Sequence, residues 1–166
     1  MSGTPKQNLS DLGFIGLNCK KLKVAVFGGG RAAELKTAFF AKRAALVTVF
    51  SPEISVNMQE MQINWQQCRY QAGQTAGFHL VVIATSDPEV NLMIKEECEE
   101  QCKLYLYAPE AGKSLFSCPA QGESDTAFFA VQCKETNPKL AVRLKARIAA
   151  LLDQENEKII NKAIEI

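Results

Sequence analysis

The sequence predicts an α/β fold in which helices cover a mostly parallel sheet, with a small C-terminal region of one strand and one helix. Short apolar runs alternate with longer helical segments through the first hundred or so residues, and such alternation is typical of parallel sheets with crossover helices. A turn of three glycines ends the first apolar run. After Pro109 the composition shifts to glycine, serine and other small residues. We therefore predict two domains, at residues 1–112 and 113–166.

The first crossover unit is expected at residues 23–50. Lys23 to Phe27 is a short apolar run of the kind found in buried parallel strands. Arg31 to Arg43 has no glycine or proline and carries an apolar face at helical spacing. Leu46 to Phe50 is a second apolar run, closed by the turn residues that follow it. A strand, a glycine turn, a helix and a strand in this order indicate a right-handed crossover.

The same alternation continues along the chain. Phe78 to Thr85 is the clearest strand of the sequence, and Asp87 and Pro88 then supply an N-cap residue and a first helical residue. The other expected elements, in chain order, are a short helix from Ile54 to Met61, a strand from Ile63 to Tyr70, the helix from Pro88 to about Cys102, a strand from Leu104 to Ala108, a loop from Ala111 to Asp125, a strand from Thr126 to Val131, and a long helix opened by Asn137 and Pro138.

Composition excludes several classes of protein. The formal net charge is +1, from 19 basic and 18 acidic residues, and no long basic run occurs, which argues against nucleic acid as a partner. No apolar run approaches the roughly 18 to 20 residues that cross a bilayer, and the polar first ten residues do not form a signal peptide. We expect a cytoplasmic protein whose six cysteines are thiols.

The glycine turn predicts a Rossmann-type dinucleotide site. Residues Gly28 to Ala33 form a G-x-G-x-x-A pattern between a predicted strand and a predicted helix, where N–H groups and the helix dipole bind phosphate. A tight turn without a ligand is the alternative. About 20 residues further on, an NAD site usually carries an acid for the ribose hydroxyls. Here that position falls near Phe50 and Ser51, neither of which is an acid, and Glu53 lies close by but past a proline. The choice between NAD and NADP is therefore left open.

Two further features have a structural and a chemical interpretation. Cys98 and Cys102 lie one helical turn apart and could chelate a metal, but no second ligand pair accompanies them, and we predict no metal site. His79 is the one histidine and opens an apolar strand. We predict a buried structural histidine there, with proton transfer as the alternative.

The chain resembles the N-terminal module of siroheme synthase and the related precorrin-2 dehydrogenases over roughly Leu17 to Leu152. The order and spacing of the matching segments are more telling than any one of them. In chain order these segments are Leu17 to Val24, Phe27 to Gly30, Ser51 to Ile54, Val82 to Asp87 with Asn91 behind it, Phe116 to Ala120, and Thr136 to Ala141.

This resemblance implies a homodimer that binds NAD and oxidises precorrin-2 to sirohydrochlorin in siroheme synthesis, and some members also act as ferrochelatases. The family's base is an aspartate shortly after the fifth strand. A gap-free match places it at Pro109, so we assign the role to the neighbouring Glu110. Lys134 and Lys139 belong to a basic stripe that is typical of a solvated helix face, and the alternative suggested by the resemblance is that they bind the tetrapyrrole carboxylates. The predicted cofactor residues are Gly28, Gly29, Gly30, Arg31, Ala32, Ser51, Pro52, Thr85 and Ser86.

One segment departs from the family pattern. Gln132 to Glu135 replaces the small-residue turn that the family has before its dimerisation helix. Long side chains there would alter or fill the substrate pocket. The alternative hypothesis is therefore a binding module without catalysis, which senses the dinucleotide or delivers the tetrapyrrole to a partner enzyme.

Overall fold

Five parallel strands form a sheet with the order β3-β2-β1-β4-β5 in a computed structural model that describes residues 13–125, 127–133 and 137–164. The chain divides into two compact units, one comprising Leu12–Ser117 and the other containing Cys118–Ile166. The five strands belong to the first unit. They are β1 (Lys23–Phe27), β2 (Leu46–Phe50), β3 (Asn64–Gln66), β4 (Leu80–Ile83) and β5 (Leu104–Tyr107).

Three α-helices accompany this sheet, and their ends follow from local sequence. They are α1 (Arg31–Ala41), α2 (Val56–Gln59) and α3 (Pro88–Glu100). The predicted cap of α3 is confirmed, because the Asp87 carboxylate accepts the N–H groups of Glu89 and Val90. Short 3₁₀ turns occur at Cys19–Lys21 and Ala111–Lys113.

The core lies along the two central strands. Val24 to Phe27 in β1 and Leu80 to Ile83 in β4 are buried, because helices cover both faces of a parallel sheet. Val26 pairs with Val49 of β2 on one side and Val82 of β4 on the other. This buried frame fixes the carboxyl ends of three neighbouring strands at one edge.

Two predictions need correction, namely the end of the third strand and the burial of His79. β3 ends at Gln66 instead of Tyr70, because it is an exposed edge strand that pairs only with the end of β2. The prediction of a buried histidine was wrong. His79 is exposed, and its Nδ1 accepts the backbone N–H of Lys23 at 2.9 Å. The histidine is thus a structural residue on the surface.

The second unit contains an antiparallel pair, β6 (Ala120–Glu123) and β7 (Phe128–Val131), and the long helix α4 (Pro138–Ile164). The predicted loop through Asp125 was wrong in part, because it contains β6. A side chain on Gly122 would lie 2.2 Å from the Phe129 ring, so the glycine makes room for the cross-strand aromatic. Asn137 caps α4 as predicted, accepting the N–H of Leu140 at 2.9 Å. Across the described residues, none of the helices combines the length and apolarity that crossing a bilayer requires.

Thr37 of α1 offers a test of the core. Its side chain is fully buried, and its hydroxyl oxygen has no hydrogen-bond partner among the described residues. We expect Thr37→Val to raise the free energy of unfolding by about 1 kcal/mol, because valine keeps the shape and removes an unsatisfied polar atom. Urea unfolding measures this, with Thr37→Ser, which keeps the hydroxyl and loses a methyl group, as the destabilised control. A less stable valine variant would mean that the hydroxyl is satisfied in solution.

Candidate functional site

A cleft of about 840 Å³ opens at the carboxyl ends of β1, β2 and β4. In open parallel sheets this edge is where ligands bind, at the point where the strand order reverses. The strand order here reverses between β1 and β4. The cleft is lined by all nine residues that the sequence predicts for the cofactor: Gly28, Gly29, Gly30, Arg31, Ala32, Ser51, Pro52, Thr85 and Ser86.

The three glycines of the turn differ in what surrounds them. Gly28 has φ +118°, and a Cβ there would lie 2.3 Å from the Ala84 carbonyl oxygen. A Cβ on Gly29 would lie 1.8 Å from the Glu53 carbonyl oxygen. A Cβ on Gly30, in contrast, would have no described atom within 4 Å. The first two glycines are therefore required by the fold, whereas the space beside the third is open to a ligand.

The N-terminus of α1 is available to an anion. Gly30 is its N-cap residue and has no side chain to bond the first-turn N–H groups, which face no carbonyl within the helix. The other helix that starts at this cleft, α3, has its first N–H groups bonded to Asp87. Free N–H groups and the positive end of the helix dipole suit a pyrophosphate. The turn therefore fits a dinucleotide, with its pyrophosphate at α1 and not at α3.

A buried carboxylate joins α1 to the loop after β2. The Glu34 side chain, 9% exposed, accepts hydrogen bonds from Ser55 Oγ at 2.7 Å and Asn57 Nδ2 at 3.2 Å, and it pairs with Arg31. Hydrogen bonds from Ser55 and Asn57, aided by the Arg31 charge, hold the pKa of the Glu34 carboxyl below its ordinary value. The Ser55 N–H also donates to the Gly29 carbonyl at 3.2 Å. Together these bonds fix the glycine turn and one wall of the cleft.

The opposite wall is held by Asn91 of α3, which is 2% exposed. Its Oδ1 accepts from the N–H and the hydroxyl of Thr85, and its Nδ2 donates to the Thr85 carbonyl at 3.1 Å. The Thr85 hydroxyl is thus engaged within the protein, where it also contacts the backbone of Asp87. This network presents the main chain of Thr85 and Ser86 to the cleft.

Sequence reasoning missed the cleft residues that follow β3. Cys68, Arg69 and Tyr70 line the cleft, whereas the predicted strand to Tyr70 placed them inside the sheet. The signal that could have located them is the run of glutamines and polar residues after Trp65, which is atypical of a buried strand. Because β3 neighbours β2, the segment after it reaches the same edge as Ser51.

The residues predicted to catalyse the reaction and to bind the substrate are Glu110, Lys134 and Lys139. Glu110 follows β5, and its Oε2 is 2.7 Å from Lys113 Nζ. The hydrogen bond with Glu110 raises the pKa of Lys113. Among the described residues, Glu110 is not one that lines the cleft. Lys139 is exposed in the first turn of α4, and Lys134 lies outside the described residues.

The two cysteines of α3 have different environments. Cys98 is fully buried in the core cluster, and burial raises the pKa of its thiol to about 12. Cys102 is exposed and adopts φ +52° just beyond the helix. Within the part of the chain that the structure describes, His, Cys, Asp and Glu side chains form no group of three or more that could hold a metal ion.

Comparison with known proteins relates this chain to one family. Residues 15–120 match the family model described as putative NAD(P)-binding. A siroheme synthase of Zymomonas mobilis is 26% identical over 140 residues, which are 82% of this chain and 30% of that protein. A precorrin-2 dehydrogenase of Priestia megaterium is 25% identical over 142 residues, which are 83% of this chain and 70% of that protein.

A solved structure has a similar fold. SirC, a precorrin-2 dehydrogenase, matches with a TM-score of 0.72 and 22% identity, covering 88% of this chain and 76% of its own. The chain spans about 30% of the length of the siroheme synthase it matches. The match to the family model covers the glycine turn, the cleft and the strands that position it.

Proposed function

The chain belongs to the NAD(P)-binding family of siroheme synthase N-terminal modules and precorrin-2 dehydrogenases, and on this premise we propose that it oxidises precorrin-2 to sirohydrochlorin with a nicotinamide dinucleotide. The observation that carries the proposal is the uncapped N-terminus of α1 in a cleft that has space beside Gly30. When bound, the nicotinamide supplies a hydride acceptor. A cytoplasmic location is part of the proposal.

The chain's own residues would hold the dinucleotide in one direction. The backbone of Gly30, Arg31 and Ala32 would bind the pyrophosphate. The adenosine half would lie toward the end of β2, where Ser51 and Pro52 line the cleft. The nicotinamide half would then lie toward the end of β4, beside the main chain of Thr85 and Ser86.

Oxidation also releases a proton, and we propose that the Glu110 carboxylate accepts it. Loss of a hydride to the nicotinamide and of a proton to a base together remove two hydrogens from the tetrapyrrole. Glu110 follows β5, the neighbour of β4, and would therefore be on the side of the sheet proposed above for the nicotinamide. Lys139 and Lys134 would pair with substrate carboxylates, as ammonium groups do.

A homodimer and ferrous-iron insertion complete the proposal. Among the described residues of the second unit, four large apolar side chains are solvent-exposed in the single chain, namely Phe128 at 84%, Leu140 at 41%, Val142 at 56% and Leu151 at 61%. Apolar surface of this kind is suited to association with a second subunit. Iron insertion is proposed only because some members of the family act as ferrochelatases, and it is tested by adding ferrous iron to the sirohydrochlorin product.

The experiment is an anaerobic assay of the purified chain with precorrin-2 and either NAD⁺ or NADP⁺. The absorbance of the reduced cofactor measures the rate of the reaction. We expect turnover, and we expect Glu110→Gln to lower kcat by about 100-fold, because an amide cannot accept the proton. Glu60→Gln, an exposed acid that does not line the cleft, is the matched control. Equal rates for the wild type and Glu110→Gln would refute the assigned base. Cofactor binding without any turnover would refute the proposed reaction.

A further inference from the structure

A second pocket, of about 340 Å³, lies between α3 and β5, and none of its lining residues lines the dinucleotide cleft. Its lining residues all belong to the first unit. They are Leu92, Lys95 and Glu99 of α3, Tyr105 and Tyr107 of β5, and Lys113 of the second 3₁₀ turn. We call it the β5 pocket. Its volume is at the lower end of the range for small-molecule sites, so it has room for one substituent of a large ligand.

Backbone hydrogen bonds hold the segment after β5 against the strand. The Leu115 N–H donates to the Tyr105 carbonyl at 2.9 Å. The Tyr107 N–H donates to the Ser114 hydroxyl at 2.8 Å. These bonds lie directly after the turn that carries Lys113, and they fix that turn beside the β5 pocket. The position of the Lys113 backbone is thus set by the fold before a ligand arrives.

Two ammonium groups and one phenol supply hydrogen-bond donors to the β5 pocket. Lys113 Nζ is 2.7 Å from Glu110 Oε2. Lys95 Nζ is 2.6 Å from Glu99 Oε1. An ammonium group has three N–H donors, so each of these ion pairs leaves N–H groups free. Within the part of the chain that the structure describes, the Tyr107 hydroxyl makes no hydrogen bond and is a further free donor.

The two ion pairs differ in how firmly the carboxylate is held. Glu99 also accepts the Tyr105 hydroxyl at 2.7 Å, and the Lys95 side chain is only 18% exposed. The Glu110 and Lys113 side chains are 37% and 53% exposed, and an exposed ion pair of this kind contributes little free energy. The charges of the four groups balance. An anionic ligand would therefore bind by exchange, taking the place of the weakly held Glu110 on the Lys113 ammonium.

We propose that the β5 pocket binds one carboxylate arm of the tetrapyrrole, which replaces Glu110 as the partner of Lys113 and leaves the Glu110 carboxylate free to accept the proton. Lys95 and Tyr107 would supply further donors to the arm. The hydride still passes to the nicotinamide and the proton to Glu110, so substrate binding itself uncovers the base. The inference rests on the proposed function, because it takes Glu110 as the base and the tetrapyrrole as the ligand.

Steady-state kinetics of the full chain with precorrin-2 test this inference. We expect Lys113→Met to raise KM by about tenfold, because a charge-assisted hydrogen bond to the substrate is lost. The kcat should stay within about twofold of the wild type, since Glu110 is unpaired in both substrate complexes. Lys113→Arg keeps the charge and should keep KM near the wild-type value. Lys42→Met, which removes an exposed lysine that lines neither pocket, is the matched control.

Absorbance titration with sirohydrochlorin, without a dinucleotide, measures binding apart from turnover. Its dissociation constant should rise by about tenfold in Lys113→Met and stay unchanged in Lys42→Met. Wild-type KM and wild-type sirohydrochlorin affinity in Lys113→Met would overturn this inference and leave the proposed function standing. Sirohydrochlorin binding that depends on Lys113, in a wild type without turnover, would overturn the proposed reaction and the role of Glu110 but support the carboxylate site.

Discussion

Gly30→Ser is expected to weaken dinucleotide binding by about 100-fold while the protein stays folded, because two charge-assisted hydrogen bonds to the pyrophosphate would be lost. Gly30 has φ −82° and ψ −174°, a conformation open to any residue, and a Cβ there meets no described atom within 4 Å. Serine is also a favoured N-cap residue that bonds first-turn N–H groups through its hydroxyl. The substitution therefore fills the ligand's space and occupies its donors without straining the fold.

Calorimetry with the dinucleotide and urea unfolding of the same variant separate the two effects. Gly112→Ser is the matched control, because Gly112 also has open space for a Cβ but lies in the 3₁₀ turn outside the cleft. Gly29→Ser should behave differently from both and lose stability, since its Cβ would collide with the Glu53 carbonyl oxygen. Wild-type dinucleotide affinity in Gly30→Ser would show that the pyrophosphate does not bind at the N-terminus of α1.

Neighbouring residues alone were sufficient to predict the first crossover unit. The apolar run of β1, the glycine turn and the helix-forming segment of α1 each follow from neighbouring residues, and the structure has them within two residues of the predicted bounds. The Asp87 cap is equally local, since the carboxylate bonds N–H groups two and three residues away. The predicted cleft residues came together because they sit at the ends of strands, whose order in a parallel sheet is constrained.

Features that depend on contacts between residues distant in the sequence were not predicted. Glu34 is a charged residue in a helix, and its burial depends on Ser55 and Asn57, 21 and 23 residues away. β6 has the sequence Ala-Gln-Gly-Glu, which has low strand propensity and becomes a strand through pairing with β7. The sequence prediction placed Arg69 inside a strand. The observed strand ends earlier, because the bounds of an edge strand depend on the length of its partner, not on its own residues.

Removing the Glu97 carboxylate is expected to destabilise the first unit more than any other single change considered. This side chain on α3 accepts the backbone N–H groups of Gly73 and Thr75 at 2.9 and 3.0 Å, and the hydroxyls of Thr75 and Tyr70. Thr75 is fully buried. Glu97→Ala leaves these donors without their acceptor, so we expect the free energy of unfolding to fall by about 3 kcal/mol. Because Tyr70 lines the cleft, dinucleotide affinity should fall as well.

The dependence of this effect on pH distinguishes the carboxylate from mere packing. Burial alone would raise the pKa of Glu97, but the hydrogen bonds from Thr75, Tyr70 and Gly73 outweigh it and hold the pKa below its ordinary value. A folded-state pKa below the unfolded value adds stability above the unfolded pKa, and this stability is lost as pH falls through the folded pKa.

The free energies of unfolding of the wild type and Glu97→Gln, measured in urea, should therefore differ most at neutral pH, and the difference should shrink below about pH 4.5. Glu96→Gln, an exposed neighbour on α3, should show no such difference. A stability gap between the wild type and Glu97→Gln that stays constant down to pH 3 would rule out the charged carboxylate as the group that holds this turn.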